Sequence, residues 1–426
     1  MGHLATQTSL YKEMDKLGDK DYEYPNSAIA GAALGILTQG KSDFESVNEF
    51  AEEKEYYSGI LGIKDIPSEP TFRQRLNGMP EEALEVVNRA NVELLRHGEV
   101  RFGECLGFVP IDIDVTTLDN RKTKKEGVSR TYKGFDGFAP MIAYMGTEGY
   151  VIGNELRPGS QHSQNGTGEF LKKAIKDAME LTDNPLLLRA DAAHDSIENI
   201  DICYSEETRA EFIIKRNLRK EPVDGWLALA LEETKACDVQ MPREGKTVYV
   251  GSTYRFYGRR EMRIVYEVTV RTIKADGQIL LAPEIEVATF WVSLPEPWES
   301  ADGVDNAQVL QAYRDHATCE QFHSEIKTDM DLERLPSGSL KTNKLVWGLG
   351  MMAYNILRII GQASIKENDA PLKRTVKRRR IRTVVQNLIY IAVRVVHHGR
   401  QVYLNLGRSN AWRHTFKRVH LALARP

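Results

Sequence analysis

The chain has 426 residues, of which 42% are hydrophobic and 27% charged, and its formal net charge is -3 at pH 7. These values argue against a collagen-like, disordered or membrane-spanning protein, and the length predicts two to four domains. Four widely spaced cysteines without a CxxC pair argue against a zinc ribbon or a disulfide framework and are typical of a reducing cytoplasm. The N-terminal residues have no apolar signal core, so we expect no secretory leader.

Hydrophobic periodicity divides the chain into five predicted regions. They are, in order, a mostly helical region over 1–105, the first part of an α/β core over 106–217, a β-rich insertion over 218–300, a second core part over 301–370 and a basic helical region over 371–426. The insertion shows no helical pattern. It therefore interrupts the core instead of continuing it.

The first core part predicts three strands, a helix, a strand, a helix and a last strand. The strands lie at 107–119, at 139–159 (two strands joined by a turn), at 184–191 and at 209–217, and the helices at 166–183 and 194–207. In the second core part, apolar spacing predicts one long helix over 305–333. The apolar stretch from Trp347 to Ile365 predicts a buried helix, because Asn355, Arg358 and Gln362 make it too polar to span a membrane.

Charge is distributed unevenly along the chain. Residues 371–426 contain 14 Lys and Arg and no Asp or Glu, densest at 373–382. Such a basic segment predicts contact with nucleic-acid phosphates; the alternative is a surface that offsets the acidic remainder of the chain. The apolar spacing of 382–396 indicates that these charges lie on a folded helix.

Three carboxylates in separate elements are the candidate chemical groups. Asp114 lies on the first strand, Asp191 ends a strand that is otherwise apolar, and Glu320 lies within the long helix. Open α/β sheets place ligands at strand ends, and oxygen ligands of this kind suit Mg²⁺ or Mn²⁺. Asp112 shares a face with Asp114 and is the alternative ligand, although a structural role is favoured.

The long helix carries a polar stripe. Tyr313, His316, Glu320 and Lys327 fall within about 60° of one another around the helix axis. A phenol, an imidazole, a carboxylate and an ammonium on one side suit a site for metal and phosphate. The alternative is a solvated face with incidental ion pairs.

These motifs resemble the DDE transposases of bacterial insertion sequences. The family's Asp-x-Thr motif matches residues 114–116, its Ala-Asp motif matches Ala190 and Asp191, and its Tyr-x2-Arg-x3-Glu-x6-Lys signature matches from Tyr313 to Lys327, with His316 in place of Arg. The resemblance covers about residues 40–420. It implies a ribonuclease-H-like mixed five-stranded sheet with flanking helices, interrupted by a β-rich insertion.

The resemblance also implies the chemistry. Asp114, Asp191 and Glu320 would hold two Mg²⁺ ions, with Mn²⁺ as a substitute, for cutting and joining DNA strands by cut-and-paste transposition. The expected partners are double-stranded DNA and a second copy of the chain, without a membrane, in the bacterial cytoplasm near the nucleoid. The N-terminal region would bind DNA ends or support dimerisation. The alternatives are a nuclease that cuts without joining and an inactive DNA-binding derivative.

The expected DNA contacts come from three places: the helix stripe, the basic loop at 121–134 and the C-terminal cluster. The residues are Tyr313, His316, Lys327, Lys122, Lys124, Lys125, Arg130, Lys133, Arg374, Lys377, Arg378, Arg379 and Arg380. For the loop, the alternative is an ordinary charged surface. Trp291 and Trp298 are candidates for stacking on a flipped base, with packing as the favoured alternative.

Overall fold

The computed structural model describes residues 1–17, 23–98, 100–232, 237–398 and 401–424. The parts of the predicted regions at 18–22, 99, 233–236, 399–400 and 425–426 lie outside the described residues. Within the described chain, no helix combines the length and the apolar character needed to cross a membrane.

The N-terminal region is helical, as its apolar spacing predicts. Its helices are α1 Gly2–Thr6, α2 Leu10–Lys16, α3 Asn26–Thr38, α4 Lys54–Leu61, α5 Glu69–Gly78 and α6 Glu82–His97, with a 3-10 turn at Phe44–Phe50. Every residue of α3 is buried. α5 begins directly after Ser68 and has Pro70 in its first turn, where the missing N–H costs no helical hydrogen bond.

The core sheet has the predicted ribonuclease-H-like arrangement. Its elements are β1 Val109–Val115, β2 Leu118–Asp119, β3 Ser129–Arg130, β4 Asp136–Phe138, β5 Met141–Met145, β6 Tyr150–Glu155, α7 Thr167–Met179, β7 Leu186–Ala190, α8 Ile197–Tyr204 and β8 Glu211–Lys215. The five long strands lie in the order β6-β5-β1-β7-β8. β6, β5 and β1 are antiparallel, whereas β1, β7 and β8 are parallel. β2, β3 and β4 form a separate small sheet.

The insertion extends this same sheet. It contains α9 Val223–Glu232, β9 Asp238–Arg243, β10 Lys246–Tyr257, β11 Arg260–Ile273 and β12 Ile279–Val292. β12 pairs antiparallel with β8 through Phe290, Trp291 and Val292, so the sheet reaches nine strands. The predicted β-rich insertion therefore includes one helix among its described elements, and its strands extend the core sheet.

The predicted long helix at 305–333 is broken. The chain forms α10 Asn306–His316, α11 Cys319–Ser324 and a π-helical turn at Glu325–Asp329, hereafter the π-turn. At the break, the N–H groups of Ala317 and Thr318 donate to carbonyls three residues back, which tightens the helix locally. Apolar periodicity continues through this break, and therefore did not reveal it.

α12 (Leu340–Ile365) is the predicted buried helix and forms the centre of the molecule. It packs against α3, α6 and β6. Its Asn355 side chain accepts a hydrogen bond from the N–H of Val151 (2.9 Å) and donates to the carbonyl of the same residue (2.7 Å). These bonds tie the helical layer to the sheet.

The C-terminal region differs from its prediction. It forms α13 Ile381–Val384, a second π-helical turn at Val385–Ile389, β13 Val393–His398, β14 Gln401–Leu406 and α14 Arg413–Leu423. The predicted helix over 382–396 is thus wrong in its second half. There the β-branched residues Val393, Val395 and Val396 favour a strand, which pairs with β14 as a hairpin.

Candidate active site

Two of the predicted carboxylates leave neighbouring strands at the same sheet edge. β1 and β7 are parallel, with Ile113 paired to Ala190, and Asp114 and Asp191 are the next residues of each chain segment. The side chain of Asp191 is 45% exposed and that of Asp114 is 24% exposed. Parallel strands lie about 4.8 Å apart, so the two carboxylates are neighbours.

An open groove of about 920 Å³ runs over this edge and is called the active-site groove below. α11 lies across from the strand ends and contributes Glu320, which is exposed. The groove thus brings together the three predicted carboxylates. It is also lined by the predicted residues Tyr313, His316, Lys327 and Lys133 and by Tyr132 and His323.

Asp112, the alternative ligand, does not line this groove and lies in a buried ion pair. Its Oδ1 and Oδ2 each accept a hydrogen bond of 2.6 Å from Arg189. Burial raises the pKa of Asp112, but the charge of Arg189 and the hydrogen bond to His316 outweigh burial and hold that pKa below its usual range. Because both oxygens are already engaged by a cation, Asp112 is a structural residue.

His316 belongs to the same buried cluster. Its Nδ1 lies 3.0 Å from Asp112 Oδ1 and 3.8 Å from Cys319 Sγ. In the described part of the chain, these three residues are the group whose potential metal-ligand atoms all lie within 4.8 Å. The guanidinium of Arg189 occupies the same carboxylate, however, and burial raises the pKa of the Cys319 thiol well above its usual value. The cluster therefore fits an ion-pair network better than a metal. His316, which also lines the active-site groove, is held there by Asp112, and its expected DNA contact stays a prediction.

A second histidine, which the sequence did not reveal, holds Asp114. His323 Nε2 lies 3.0 Å from Asp114 Oδ2, and its Nδ1 lies 2.9 Å from the hydroxyl of Tyr144. When Tyr144 donates to Nδ1, Nε2–H donates to the carboxylate. Burial raises the pKa of Asp114, but the bond from His323 outweighs it, so the carboxylate stays ionised. A signal was available, because His323 follows Glu320 by three residues on one helix face.

A third histidine lies beside Asp191. His194 is buried, and its Nε2 is 3.7 Å from Asp191 Oδ1, too far for a hydrogen bond. Burial lowers the pKa of His194, so its ring is neutral. Asp195, the next residue, accepts hydrogen bonds from the indole of Trp291 (3.0 Å) and the N–H of Asn217 (2.9 Å).

Comparison with known proteins identifies the family. Residues 21–426 match the family model described as Transposase DDE domain group 1. The chain belongs to this family. Among solved structures, seven chains match, including the cryo-EM structure of the piggyBac transposase synaptic complex with hairpin DNA, with 12% identity, a TM-score of 0.43, and coverage of 90% of this chain and 76% of that chain. No curated protein matches the sequence.

Membership of a transposase family implies a divalent metal, and the residues present fit one. Asp114, Asp191 and Glu320 offer carboxylate oxygens to one solvent-open groove, and oxygen is the donor that hard divalent cations prefer. The field of the first two reaches Tyr132, whose pKa is raised to about 12 by partial burial and by those two charges. Among the described residues, the ligand atoms of these three carboxylates do not all lie within 4.8 Å of one another.

The predicted cations of the active-site groove and of the loop at 121–134 differ in their surroundings. Lys327 lies in the π-turn, and its pKa is lowered by burial and by the nearby charge of Lys133. Lys125 is half-buried and donates to the carbonyl of Leu335, which makes it a structural residue of the loop. Lys122, Lys124 and Arg130 are exposed.

The arginine cluster mainly holds the C-terminal segment onto the π-turn. Arg378 Nη1 donates to Glu325 Oε1 (2.8 Å), and Arg380 Nε donates to Asp329 Oδ2 (2.8 Å). Arg379 is 3% exposed and lies over the ring of Trp412, 4.2 Å from its centroid. The expected DNA contact by Arg379 is corrected, because burial leaves it no surface to offer. Arg374 and Lys377 are exposed.

The two candidate stacking tryptophans have different positions. Trp291 is buried and stacks on Tyr257, with ring centroids 4.9 Å apart, so packing is its role. Trp298 is 73% exposed, and its indole N–H donates to Glu296 Oε2 (2.7 Å).

Proposed function

We propose that this transposase binds the ends of a mobile DNA element and cuts and joins DNA strands by metal-dependent cut-and-paste transposition. The observation that carries the proposal is the convergence of Asp114, Asp191 and Glu320 in one open groove. Asp114 and Asp191 are half-buried and Glu320 is exposed, whereas the nearby Asp112 is buried and neutralised by Arg189. The groove therefore combines metal-ligand chemistry with access for a large substrate.

Asp114 and Asp191 would share two Mg²⁺ ions, with Mn²⁺ as a substitute, and Glu320 would complete one of the two sites. When bound, such ions activate an attacking hydroxyl and stabilise the leaving oxygen of a phosphodiester. His323 holds the Asp114 carboxylate ionised and oriented for this role. The carboxylates of the chain would position these ions and supply the negative charge that binds them.

Other residues of the active-site groove would bind phosphate or disfavour attack by a protein side chain. Lys327 and Lys133 lie close enough to repel each other, and a phosphate between them would relieve that repulsion. Burial raises the pKa of Tyr313 above its usual value, so its phenol stays protonated and is a poor nucleophile. This supports direct attack by water or a DNA 3′-hydroxyl without a covalent protein–DNA intermediate.

Further DNA contacts are proposed from exposed cations near the groove and in the C-terminal segment: Lys122, Lys124, Arg130, Arg374 and Lys377. Arg378 and Arg380 contribute through their ion pairs with the π-turn, and thereby link this segment to Lys327. Joining two element ends calls for a homodimer on DNA. The expected setting is the bacterial cytoplasm, at the nucleoid.

The test is cleavage of a labelled duplex carrying the DNA that flanks the gene, with Mg²⁺, Mn²⁺ or EDTA. We expect nicks at fixed positions and joined products with either metal and none in EDTA. Asp114→Ala, Asp191→Ala and Glu320→Ala should each abolish cleavage and retain DNA binding. Asp315→Ala is the matched control, because Asp315 is an exposed acid on α10 outside the groove lining. Nicks without joined products would favour the nuclease, and binding without any cut the inactive derivative.

A further inference from the structure

The C-terminal hairpin of β13 and β14 presents two unlike faces. Val393, Val395, Leu404 and Leu406 are half-buried on one face. The cross-strand pairs Arg394–Asn405 and Val396–Tyr403 form the other, where all four residues are exposed. We call this second surface the outer face of the ribbon.

The half-buried face, called the inner face, packs the two-stranded ribbon against the rest of the molecule. Val393 and Leu404 line an apolar cavity of about 410 Å³ together with Leu388, Phe416 and the N-terminal helix α1. A hairpin alone is marginally stable in water, so this packing supports the ribbon and fixes which face points outward.

The chemistry of the outer face suits DNA. Arg394 has no acidic partner within the described residues, and the surrounding 56 residues, 371–426, contain no Asp or Glu. Arg and Asn are the side chains that read guanine and adenine edges by paired hydrogen bonds, and an apolar side chain such as that of Val396 can contact the thymine methyl group. Tyr403 is 49% exposed and adds a large flat surface beside them.

The dimensions of the ribbon also fit the major groove of DNA. Two strands lie about 4.8 Å apart, and the major groove, about 12 Å wide, accepts a two-stranded ribbon. Six residues per strand span about 20 Å, which corresponds to about six base pairs at 3.4 Å each. The segment leading into β13 is anchored by Arg380 to Asp329 of the π-turn, so DNA held on the ribbon is tied to the element that carries Lys327.

We infer that the outer face of the β13–β14 ribbon enters the major groove of double-stranded DNA, covers about six base pairs and reads bases within that block through Arg394 and Asn405. The inference rests on the proposed function, which requires recognition of element ends, and it assigns that recognition to a surface outside the active-site groove.

The test is selection of bound duplexes from a pool with a random 20-base-pair segment, using the full chain in EDTA. The wild-type chain should select a sequence motif. Arg394→Ala with Asn405→Ala should lose the preference at the base positions that these two side chains contact, by about 5- to 150-fold for each base contact removed. Arg374→Ala, a matched removal of an exposed cation, should weaken binding on all sequences alike and keep the motif.

A second variant separates base reading from charge and from misfolding. Arg394→Lys keeps the cation and loses the planar fork, so it should retain overall affinity, weaken the preference at the base that Arg394 contacts and keep the preference at the base that Asn405 contacts. Both changes are on the surface and should leave the melting temperature unchanged. An unchanged motif in the double variant, or no motif in the wild-type chain, overturns the inference. Because the selection needs no metal and no cleavage, failure of the proposed chemistry would appear separately, as binding without cutting in Mg²⁺ or Mn²⁺.

Discussion

Replacing Asp112 by Asn should unfold the core more easily without touching the chemistry. Asp112 and Arg189 are both buried, with their side chains 3% exposed, and are joined by two hydrogen bonds of 2.6 Å. The substitution keeps the shape of the side chain and removes its charge. Arg189 then has only neutral acceptors, the amide oxygen at position 112 and the carbonyl of Ala312 (2.7 Å), and His316 loses its anionic neighbour.

The magnitude follows from the uncompensated charge. Breaking a buried ion pair by removing one partner costs about 3–5 kcal/mol. At about 2.1 cal/mol/K per residue, unfolding of the 426-residue chain as one unit carries an entropy of about 0.9 kcal/mol/K. The melting temperature should therefore fall by about 3–6 °C.

The assay compares thermal melting and strand cleavage for Asp112→Asn and Asp114→Asn, two residues apart on β1. Asp114→Asn keeps an acceptor for His323 and should melt within about 2 °C of the wild-type chain, but it should not cut DNA. Asp112→Asn should have the lower melting temperature given above and should still cut DNA at temperatures at which it is folded. An Asp112→Asn chain with normal melting and no cleavage would refute the reasoning and make Asp112 a ligand.

Three more results are expected. His323→Ala should lower cleavage about 10- to 100-fold and raise the metal concentration required, whereas His323→Gln, which can still donate to Asp114, should recover part of the loss. His316 has its pKa raised because Asp112 outweighs burial, so its contribution to stability is present below about pH 6.5 and is lost as pH rises through the folded pKa. The melting gap between wild type and His316→Gln should therefore be widest near pH 5.5 and narrow toward pH 8.5. Lys327→Ala should reduce the slope of log affinity against log salt by about one, measured by gel shift.

Each of these three predictions would be contradicted by a specific result. Equal cleavage and metal requirement in His323→Ala would show that the contact with Asp114 does not position it. A melting gap for His316→Gln that is the same at every pH would show that its charge does not matter. An unchanged salt slope in Lys327→Ala would remove that residue from phosphate contact.

The strands of the core were predictable because their side chains alternate or are continuously apolar. The apolar run ending in Asp191 placed that residue at a strand end, and the alternating run placed Asp114 and Asp112 on one face of β1. What separated the two aspartates was not local: Arg189, 77 residues away in sequence, neutralises Asp112 alone.

Other features depended on tertiary context. The contact between His323 and Asp114 joins residues 209 apart, so the local spacing places His323 on the helix face of Glu320 but does not indicate Asp114 as its partner. The basic cluster predicts an exposed surface, but Arg379 is buried, because it packs on Trp412 and donates a hydrogen bond to Ser364 at the end of α12. The sequence predicts a helix where β13 lies, because apolar residues continue from α13 into β13. The run of β-branched residues there favours a strand and could have indicated it.

The most direct test of the central claim is a change of metal preference. Asp114→Cys replaces a hard oxygen ligand with a softer sulfur, which favours Mn²⁺ over Mg²⁺. With the labelled flanking duplex, we predict that the wild-type chain cuts with either metal, whereas Asp114→Cys cuts with Mn²⁺ and at least about 100-fold less with Mg²⁺. Cleavage by the variant at the wild-type rate in Mg²⁺, or cleavage by the wild-type chain in EDTA, would contradict a metal site at Asp114.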